Sequence, residues 1–534
     1  MSKPEEPKKQ TSKELASALS PVAEAVGVSV SEDRLAPQID TSLPVSTQAR
    51  QCGQLLRKTP LFLQGDRLVI VNEDTGECKP MNPTLFVSWA EEYVSFGQHR
   101  GEGSGRRFAV KSISTELASK ILEAEQFRRE LRPLRGVHDV ALPTWANPEK
   151  TAVRLLPAGY DEETATFTAP AFEYETDMHP EDALNFLRDV YGEFPFDDSD
   201  GRKPLEKNRS FSVQMAAHFT AYGRLLFTDC LRPGFVFLAN QSGSGKTLLA
   251  RMALAPVFGT VAPSALSRDE NELEKRLTTW TEEGKKYLFF DNVKGGRVSS
   301  AALELFLTSP EYEGRILSKN ESGGGKNQAL VILTGNDVTL STDLKRRTLL
   351  CELFVVGEGL DRKFRNPITD KWVADPETRA RFLAALWSLM NNWQTAKCPR
   401  IKEGLVPSFE TYSEIIGGLV TLNGFANPLE TPATQMDESE QAWRQFLRAL
   451  ADPVETGTTY DYRVDDAMQV AEENGLLDAL TYGGRDDRKT FGQRIAKWKG
   501  RQFEDNQGRS FEFGKRRDGK GSIYPVTVFP ASGK

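Results

Sequence analysis

A glycine-rich loop between an apolar run and a helical segment constrains the fold more than any other part of the sequence. Residues 234–239 read GFVFLA, residues 240–247 read NQSGSGKT, and the segment TLLARMAL begins at Thr247. A buried strand, a glycine-rich turn and a helix, in this order, point backbone N–H groups and a Lys side chain at a phosphate group. The segment therefore predicts a phosphate loop of the G-x-x-x-x-G-K-[ST] type, rather than a Gly/Ser loop without a ligand.

The predicted ligands of this loop are ATP and Mg²⁺. Lys246 is expected at the β- and γ-phosphates and the Thr247 hydroxyl on Mg²⁺. Asn240 stands where the pattern has its first Gly, and Asn tolerates left-handed backbone angles better than most residues, so we expect the turn to form. The predicted nucleotide-binding residues are Asn240, Gln241, Ser242, Gly243, Ser244, Gly245, Lys246 and Thr247.

Two further apolar runs end in polar residues. KKYLFFDN carries Asp291 at its end, and ALVILTGND carries Asn336. An acid at the end of a buried strand fits the Walker B role, so Thr247 and Asp291 are the predicted metal ligands. Asn336 has the position of a sensor 1 residue, on a strand that lies between the two Walker strands and reaches the γ-phosphate.

Asn292 follows the Walker B acid at the position where a catalytic Glu is usual. Its amide could orient the attacking water, as amide side chains do in some GTPases. The candidate general bases are Glu304, Glu311 and Glu313, and the sequence does not choose among them.

A pair of arginines, Arg346 and Arg347, follows shortly after sensor 1 in STDLKRRTL. The pair is either a solvated surface feature or an arginine finger for a neighbouring subunit, since a guanidinium suits the charge of a γ-phosphate. The predicted catalytic residues are Lys246, Asp291, Asn292, Asn336, Arg346 and Arg347.

Patterning along the chain predicts a multidomain α/β protein. Helical and strand-like segments alternate from about residue 210, which indicates a sheet covered by helices. The predicted organisation is a disordered tail at 1–47, an α+β domain without assigned chemistry at 48–200, an ATPase core at 201–360, a helical lid at 361–436 and a separate C-terminal domain at 437–534.

Composition narrows the classes of function. The five cysteines form no C-x-x-C pair, which argues against a zinc module or a disulfide framework. No apolar run approaches the roughly 20 residues that cross a bilayer, and the polar N-terminus lacks a signal-peptide core, so a cytoplasmic protein is expected. The net charge is −7, yet twelve Lys and Arg stand against six Asp and Glu between Arg485 and Lys520, which predicts a basic end on an acidic body.

This basic end reads as three helices followed by two strands around a basic turn, the pattern of a winged-helix DNA-binding domain. The alternative is a charged domain that contacts protein. On the winged-helix model the third helix faces the DNA major groove and the turn contacts phosphates. The predicted DNA contacts are Lys489, Arg494 and Lys497 on the helix and Arg516, Arg517 and Lys520 on the wing.

Residues 180–425 resemble the AAA+ helicase-like ATPases of bacteriophages, satellites and other mobile elements, which are related to superfamily 3 and MCM-type helicases. In that group a DN Walker B motif, an R-I-L segment, a TGN sensor 1 and a DL-x-RR finger occur in the order found here. FPFDD ahead of the phosphate loop and SFETYSEIIGGLVTLNGFANPL beyond the lid are similar as well. The resemblance implies a P-loop AAA+ core with a helical lid, working as a hexameric ring with ATP at its subunit interfaces.

The same resemblance implies roles for two further segments. Two short strands around ESGGG would form a hairpin in the central channel, where Lys319 and Lys326 contact the backbone of a single DNA strand. An ordinary exposed hairpin is the alternative. In the lid, Arg379 or Arg381 would act as sensor 2 or would be a surface charge.

Together, the motifs and the resemblance predict an ATP-dependent DNA helicase, or a helicase-like replication initiator, of a phage or mobile element. The main alternative is a AAA+ remodelling or loader ATPase that binds DNA without unwinding it. A second alternative is a nucleotide-regulated DNA-binding protein.

Overall fold

The computed structural model describes residues 36–101, 107–170, 172–196, 204–239, 243–293, 297–315, 322–336, 338–353, 367–430, 438–477, 480, 488–496, 502–504, 509–519 and 521–529. The chain divides into two compact units, Met1–Leu429 and Glu430–Lys534. Within the described ranges, no helix combines the length and the apolar character that crossing a membrane requires.

The N-terminal part of the first unit consists of small sheets and short helices. Its strands are β1 Gln38–Asp40, β2 Leu61–Gln64, β3 Arg67–Val71, β4 Cys78–Pro80, β5 Ser95–Arg100, β6 Arg107–Val110, β7 Arg132–Pro133, β8 Gly136–His138, β9 Pro143–Trp145, β10 Val153–Leu155, β11 Gly159–Asp161 and β12 Thr166–Thr168. Its helices are α1 Val45–Leu56, α2 Pro83–Ala90, α3 Thr115–Glu123, α4 Glu125–Arg128 and α5 Pro180–Tyr191. The strands form sheets of order β1-β5-β6, β4-β3-β2-β7, β11-β12-β8 and β9-β10.

Regular structure begins earlier than the sequence predicts. The predicted disordered tail extends to residue 47, whereas β1 starts at Gln38 and α1 starts at Val45. Ile39 of β1 is fully buried and pairs in parallel with Phe96 of β5. A single buried residue in a three-residue strand leaves no periodic pattern, so this element is not visible from sequence spacing.

The remainder of the first unit is a parallel sheet covered by helices. Its strands are β13 Gly234–Ala239, β14 Tyr287–Val293, β15 Arg297–Val298, β16 Glu311–Arg315, β17 Ser322–Lys326, β18 Leu330–Asn336, β19 Thr339–Leu340 and β20 Thr348–Leu353. Its helices are α6 Arg209–Tyr222, α7 Lys246–Phe258, α8 Glu270–Glu282, α9 Ala301–Thr308, α10 Thr342–Arg346, α11 Asp370–Ala374, α12 Pro376–Thr395 and α13 Glu410–Leu422, with short 3-10 helices at Leu205–Lys207 and Arg224–Phe227. The main sheet has the order β14-β18-β13-β20, and all four strands are parallel.

Both faces of this sheet are buried, which explains why its strands read as continuous apolar runs. In β13, Phe235 and Phe237 enter one hydrophobic cluster, together with α6, α7, α12 and α13, while Val236 enters another with α8 and α9. The larger cluster also contains residues of β10 and α5, such as Val153 and Phe186. Residues before position 200 therefore share the core that supports the sheet.

The second unit has its own core. Its helices are α14 Glu438–Ala451, α15 Val464–Glu473 and α16 Arg488–Ile495, and its strands are β21 Thr459–Arg463, β22 Gln502–Glu504, β23 Ser510–Phe513, β24 Arg516–Asp518 and β25 Gly521–Phe529. The described helices include the three segments that the sequence predicts, and Leu477 and Leu480 are helical as well. The sheet has five strands rather than two, in the order β21-β25-β23-β22 with β24 on β25. The difference arises because β25 is long enough to pair with three strands, and its alternating Tyr524, Val526 and Val528 are buried.

Candidate nucleotide-binding site

The polar residues that follow the strands of the main sheet lie at one edge. β18 lies between β14 and β13, and its last residue, Asn336, pairs with Ala239 at the end of β13. Because parallel strands present their carboxyl ends on the same side, Asp291, Asn336 and the glycine-rich loop after β13 share this edge. Ligands of open α/β sheets bind at such carboxyl ends.

The second half of the loop requires glycine for two separate reasons. Gly243 and Gly245 have positive φ angles of 76° and 96°, which L side chains rarely adopt. A Cβ on Gly245 would also lie 2.9 Å from Cε1 of Phe194, in the FPFDD segment. Asn240, Gln241 and Ser242 lie outside the described residues. The expectation that the turn forms with Asn at position 240 therefore stays a prediction.

Lys246 is the first residue of α7 and is 7 % exposed. Burial lowers the pKa of its ammonium group below the ordinary value of 10.5, and the neighbouring charge of Asp291 opposes that shift. A partly desolvated ammonium at a helix N-terminus favours an anionic ligand, because both the charge and the free N–H groups of the first turn attract phosphate.

Two hydroxyl groups hold the Asp291 carboxylate. The Oγ1 atoms of Thr247 and Thr334 donate hydrogen bonds to the same oxygen, Oδ1 of Asp291, at 2.8 and 2.5 Å. The backbone N–H of Asn292 in turn donates to Thr334 Oγ1 at 2.9 Å. The phosphate-loop helix, β14 and β18 are thus joined through one carboxylate oxygen.

Thr334 was not singled out from the sequence, although a signal for it was present. In a strand, residues two apart point to the same face, so the hydroxyl two residues before Asn336 had to lie on the face of the sensor 1 side chain. The TGN segment therefore contributes two polar groups to the site, one at Thr334 and one at Asn336.

A local irregularity turns Asn292 towards solvent. The pairing register of β14 with β18 shifts between Phe290 and Val293, and Asn292 has a φ of 53°. Asn is among the few residues that adopt this angle readily. The exposed Asn292 side chain lines the same cavity as Asp291, and its predicted role of orienting water stays a prediction.

These groups surround a cavity of about 560 Å³, a size typical of small-molecule sites. Its lining includes Gly243, Lys246, Thr247, Asp291 and Asn336. The amide oxygen of Asn336 is buried without a hydrogen-bond partner, and such orphaned groups at a cavity wall indicate a polar ligand or water. The Thr247 hydroxyl and the Asp291 carboxylate are hard oxygen donors, and they fit the Mg²⁺ that such a loop requires.

Arg251 and Asp370 also line the cavity, and neither was predicted. They form an ion pair that joins α7 to α11. Arg251 follows Thr247 by four residues on α7, which places both side chains on one helix face and is the signal that could have found it.

The two sensor 2 candidates do not line this cavity. Arg379 donates from Nε to the carbonyl oxygen of Ala255 at 3.1 Å, so its charge stabilises the C-terminal end of α7. Arg381 lies over the ring of Phe186 with its guanidinium carbon 4.7 Å from the ring centroid. The sensor 2 role therefore stays a prediction, and among the described residues Arg251 is a cation that lines the cavity beside Lys246.

The two candidate arginine fingers form ion pairs with different partners. Arg347 lies 3.6 Å from the Glu304 carboxylate, which also accepts a hydrogen bond from Ser341 at 2.7 Å. Arg346 pairs only locally, with Asp343 one helical turn earlier, and its side chain is 67 % exposed. Arg346 is therefore the cation of the pair that a second molecule can reach.

The three candidate bases lie away from the cavity. Glu304 on α9 is occupied by Ser341 and Arg347, and Glu311 and Glu313 are exposed on β16. Among the described residues, the carboxylates that line the cavity are Asp291 and Asp370.

The hairpin ahead of sensor 1 is present, but its turn differs from the prediction. β16 and β17 pair from Glu311 opposite Lys326 to Arg315 opposite Ser322, so SGGGK is a strand rather than a turn. Gly324 is required because a Cβ there would lie 2.3 Å from the carbonyl oxygen of Tyr312. Lys326 is thus at the end of its strand opposite Ser322, about 13 Å away along the strand, and Lys319 lies outside the described residues.

The predicted DNA contacts of the second unit are only partly described. Arg494 on α16 donates to the carbonyl oxygen of Leu480 at 3.0 Å, so part of its donor capacity is used internally. Arg516 forms an ion pair with Asp461, while Arg517 is exposed on β24. The side chains of Lys489, Lys497 and Lys520 lie outside the described part of the chain.

Comparison with known proteins gives limited similarity. No family model matches the chain, and no curated protein matches it. The solved structures similar to it include the C-terminal region of NrS-1 in its apo form, at 13 % identity and a TM-score of 0.38, covering 90 % of this chain and 99 % of that one. They also include the JCV helicase with a bound thiazolopyridine acetamide, at 14 % identity and a TM-score of 0.21, covering 46 % of this chain and 66 % of that one.

Proposed function

We propose that the chain is an ATP-dependent DNA helicase, or a helicase-like replication initiator, with a AAA+ core that works in a hexameric ring. The observation that carries the proposal is the shared Asp291 oxygen, to which Thr247 and Thr334 both donate beside the buried Lys246. The strand order supports the same proposal, because β18, which ends at Asn336, lies between β14, which carries Asp291, and β13, which precedes the glycine-rich loop.

Each group has a separate task in hydrolysis. Lys246 and the N–H groups of the loop bind the β- and γ-phosphates, while Thr247 and Asp291 hold Mg²⁺, which neutralises phosphate charge when it is bound. Asn336 contacts the γ-phosphate or its attacking water, which would give its orphaned amide oxygen a donor. Asn292, exposed beside Asp291, orients the water.

Completion of the site requires a second subunit. Among the cavity-lining residues the structure describes, the cations are Lys246 and Arg251, and Arg251 is paired with Asp370. The exposed Arg346 supplies the missing positive charge to the neighbour's γ-phosphate, as an arginine finger does. DNA contacts are assigned to the hairpin loop carrying Lys319 and to a winged-helix second unit.

The test is the ATPase rate of the purified protein with and without single-stranded DNA, together with strand displacement on a forked duplex. Lys246→Ala should abolish both activities, while Lys402→Ala, which removes an exposed lysine outside the cavity, should leave both intact. Hydrolysis without displacement would instead identify a remodelling or loader ATPase. Intact DNA binding without any hydrolysis would identify a nucleotide-regulated DNA-binding protein.

A further inference from the structure

Four basic side chains lie at the amino ends of the main sheet, on the edge opposite the nucleotide site. Arg232 precedes β13 and Lys286 precedes β14, while Arg224 begins the 3-10 helix after α6 and His138 ends β8. We call these four residues the basic cluster. A strand of the length of β13 separates the two edges by about 20 Å, so the cluster is distinct from the phosphate loop.

The structure gives contacts for three members of this cluster, and the charges of Arg224 and Arg232 both act on Lys286. Trp145 donates from its indole N–H to the carbonyl oxygen of Leu226 at 3.1 Å, which fixes the 3-10 helix that carries Arg224. A Cβ on Gly136 would lie 3.7 Å from both the His138 ring and the Lys286 ammonium, so both groups flank this glycine.

The cluster is buried without compensating charge. Arg224 is 8 % exposed and His138 is 5 % exposed, and Nε2 of His138 is buried with no hydrogen-bond partner. Among the described residues, no carboxylate forms an ion pair with any member of the cluster. Three acids near these residues in the chain are directed elsewhere. Asp139, next to His138, is exposed and its charge acts on Arg379, while Asp229 pairs with Lys150 at 3.4 Å and Glu283 with Lys285 at 3.8 Å.

The remaining contacts do not neutralise the cluster. Arg232 donates to the carbonyl oxygen of Asn327 at 3.3 Å, and the Arg224 guanidinium lies 5.9 Å from the centroid of the Phe258 ring. Burial, reinforced by the other cations, lowers the pKa of Arg224 to about 9 and that of Lys286 to about 8. Like charges buried together without an anion destabilise the folded state.

We propose that the basic cluster binds a phosphate group, either as free inorganic phosphate or as the terminal phosphate of a small nucleotide. Arg and Lys supply the charged donors that phosphate oxygens accept, and the unpartnered His138 nitrogen adds a further polar contact. Arg232 and Lys286 are partly exposed and provide the route of entry, whereas the burial of Arg224 and His138 excludes a continuous nucleic-acid backbone.

The experiment uses the full chain with Lys246→Ala, so that phosphate binding at the nucleotide loop does not contribute. Two proteins are compared, Lys246→Ala and the double variant that also carries Lys286→Met. The thermal unfolding midpoint of each is measured in chloride and in inorganic phosphate at constant ionic strength. Phosphate should raise the midpoint of Lys246→Ala, because a ligand of the folded state stabilises it. Lys286→Met should raise the midpoint in chloride by removing a buried charge, and should increase the half-saturating phosphate concentration about tenfold or more.

Lys285→Met is the matched control, because it removes the adjacent, more exposed lysine and should keep the phosphate response. Arg232→Gln replaces Lys286→Met if that variant does not fold. A 5′-phosphorylated dinucleotide that acts at lower concentration than inorganic phosphate would identify a terminal phosphate as the ligand. Equal phosphate responses with and without Lys286→Met, no response in Lys246→Ala, or equal protection by a 5′-hydroxyl oligonucleotide would overturn the proposal.

Discussion

The two edges of one parallel sheet differ in how they balance positive charge. At the carboxyl edge, Lys246 lies beside Asp291, and Arg251 pairs with Asp370. At the amino edge, the described members of the basic cluster have no acidic partner. A site that must bind a metal ion together with phosphates needs carboxylates, whereas a site for an anion alone is destabilised by them. The comparison suggests two ligand sites of different chemistry on one sheet.

Arg346 gives the largest expected effect, because it would link the amino edge of one subunit to the carboxyl edge of another. Arg346→Ala should lower the ATPase rate about 10³-fold or more, as loss of an arginine finger does, without changing the thermal midpoint. Mixing Arg346→Ala with Lys246→Ala should restore activity, since each supplies the group that the other lacks. Mixing Lys246→Ala with Asp291→Asn should not, because both changes disable the same subunit's half of the site. No recovery in the first mixture would place Arg346 outside the catalytic site.

Asp291→Asn tests the charge balance of the carboxyl edge itself. The substitution keeps the size of the side chain but removes the negative charge opposite Lys246. We expect a loss in ATPase rate of about 10²–10³-fold, the magnitude for one preorganised electrostatic group, and a higher Mg²⁺ requirement. A magnesium titration of the ATPase rate measures both. An unchanged Mg²⁺ dependence would contradict the metal-ligand role.

At the amino edge, the ionisation of Lys286 should make the stability of the folded state depend on pH. Burial and the neighbouring arginines lower the pKa of Lys286 from 10.5 to about 8. Between these values the unfolded chain holds a proton that the folded chain has lost, so the folded state gains stability as pH rises from about 8 to about 10.

Without phosphate, wild type should therefore be less stable than Lys286→Met at neutral pH. The difference in the free energy of unfolding should narrow by up to about 3 kcal/mol towards pH 10. Denaturant unfolding of both proteins measures it, and saturating phosphate should flatten the dependence. A difference that stays constant with pH would show that Lys286 is not held as a buried, uncompensated cation.

Local sequence was sufficient to propose most residues of the carboxyl edge, apart from Thr334, Arg251 and Asp370, and was insufficient for the amino edge. The phosphate loop and the apolar runs before Asp291 and Asn336 each combine a strand with a polar end, so the relevant residues are contiguous. The residues of the basic cluster come from four separate elements: the segments before β13 and β14, the 3-10 helix and β8. No spacing in the sequence connects these elements. The hydrogen bond of Trp145 to the 3-10 helix and the position of His138 and Lys286 beside Gly136 are tertiary contacts that the sequence pattern does not show.

The errors in the sequence predictions have physical causes as well. SGGGK reads as a turn because glycine favours turns, yet Gly324 is a strand residue that the close approach of Tyr312 requires. The second unit reads as two strands around a turn, yet β25 is long enough to pair with β21, β23 and β24. In both cases, contacts between segments that are distant in the sequence determine the local structure.

Thr334 gives the smallest expected effect and tests whether the carboxyl edge depends on a residue that the motifs do not include. Thr334→Val preserves the shape of the side chain but removes the donor to Asp291 and the acceptor for the Asn292 N–H. Outer partners of metal-binding carboxylates affect metal affinity or activity by about 10–100-fold, so we expect a roughly tenfold loss in apparent Mg²⁺ affinity. Thr334→Ser should restore it, because the hydroxyl returns without the methyl group. If valine and serine behave alike, the threonine only fills space, and the carboxylate is positioned by Thr247 alone.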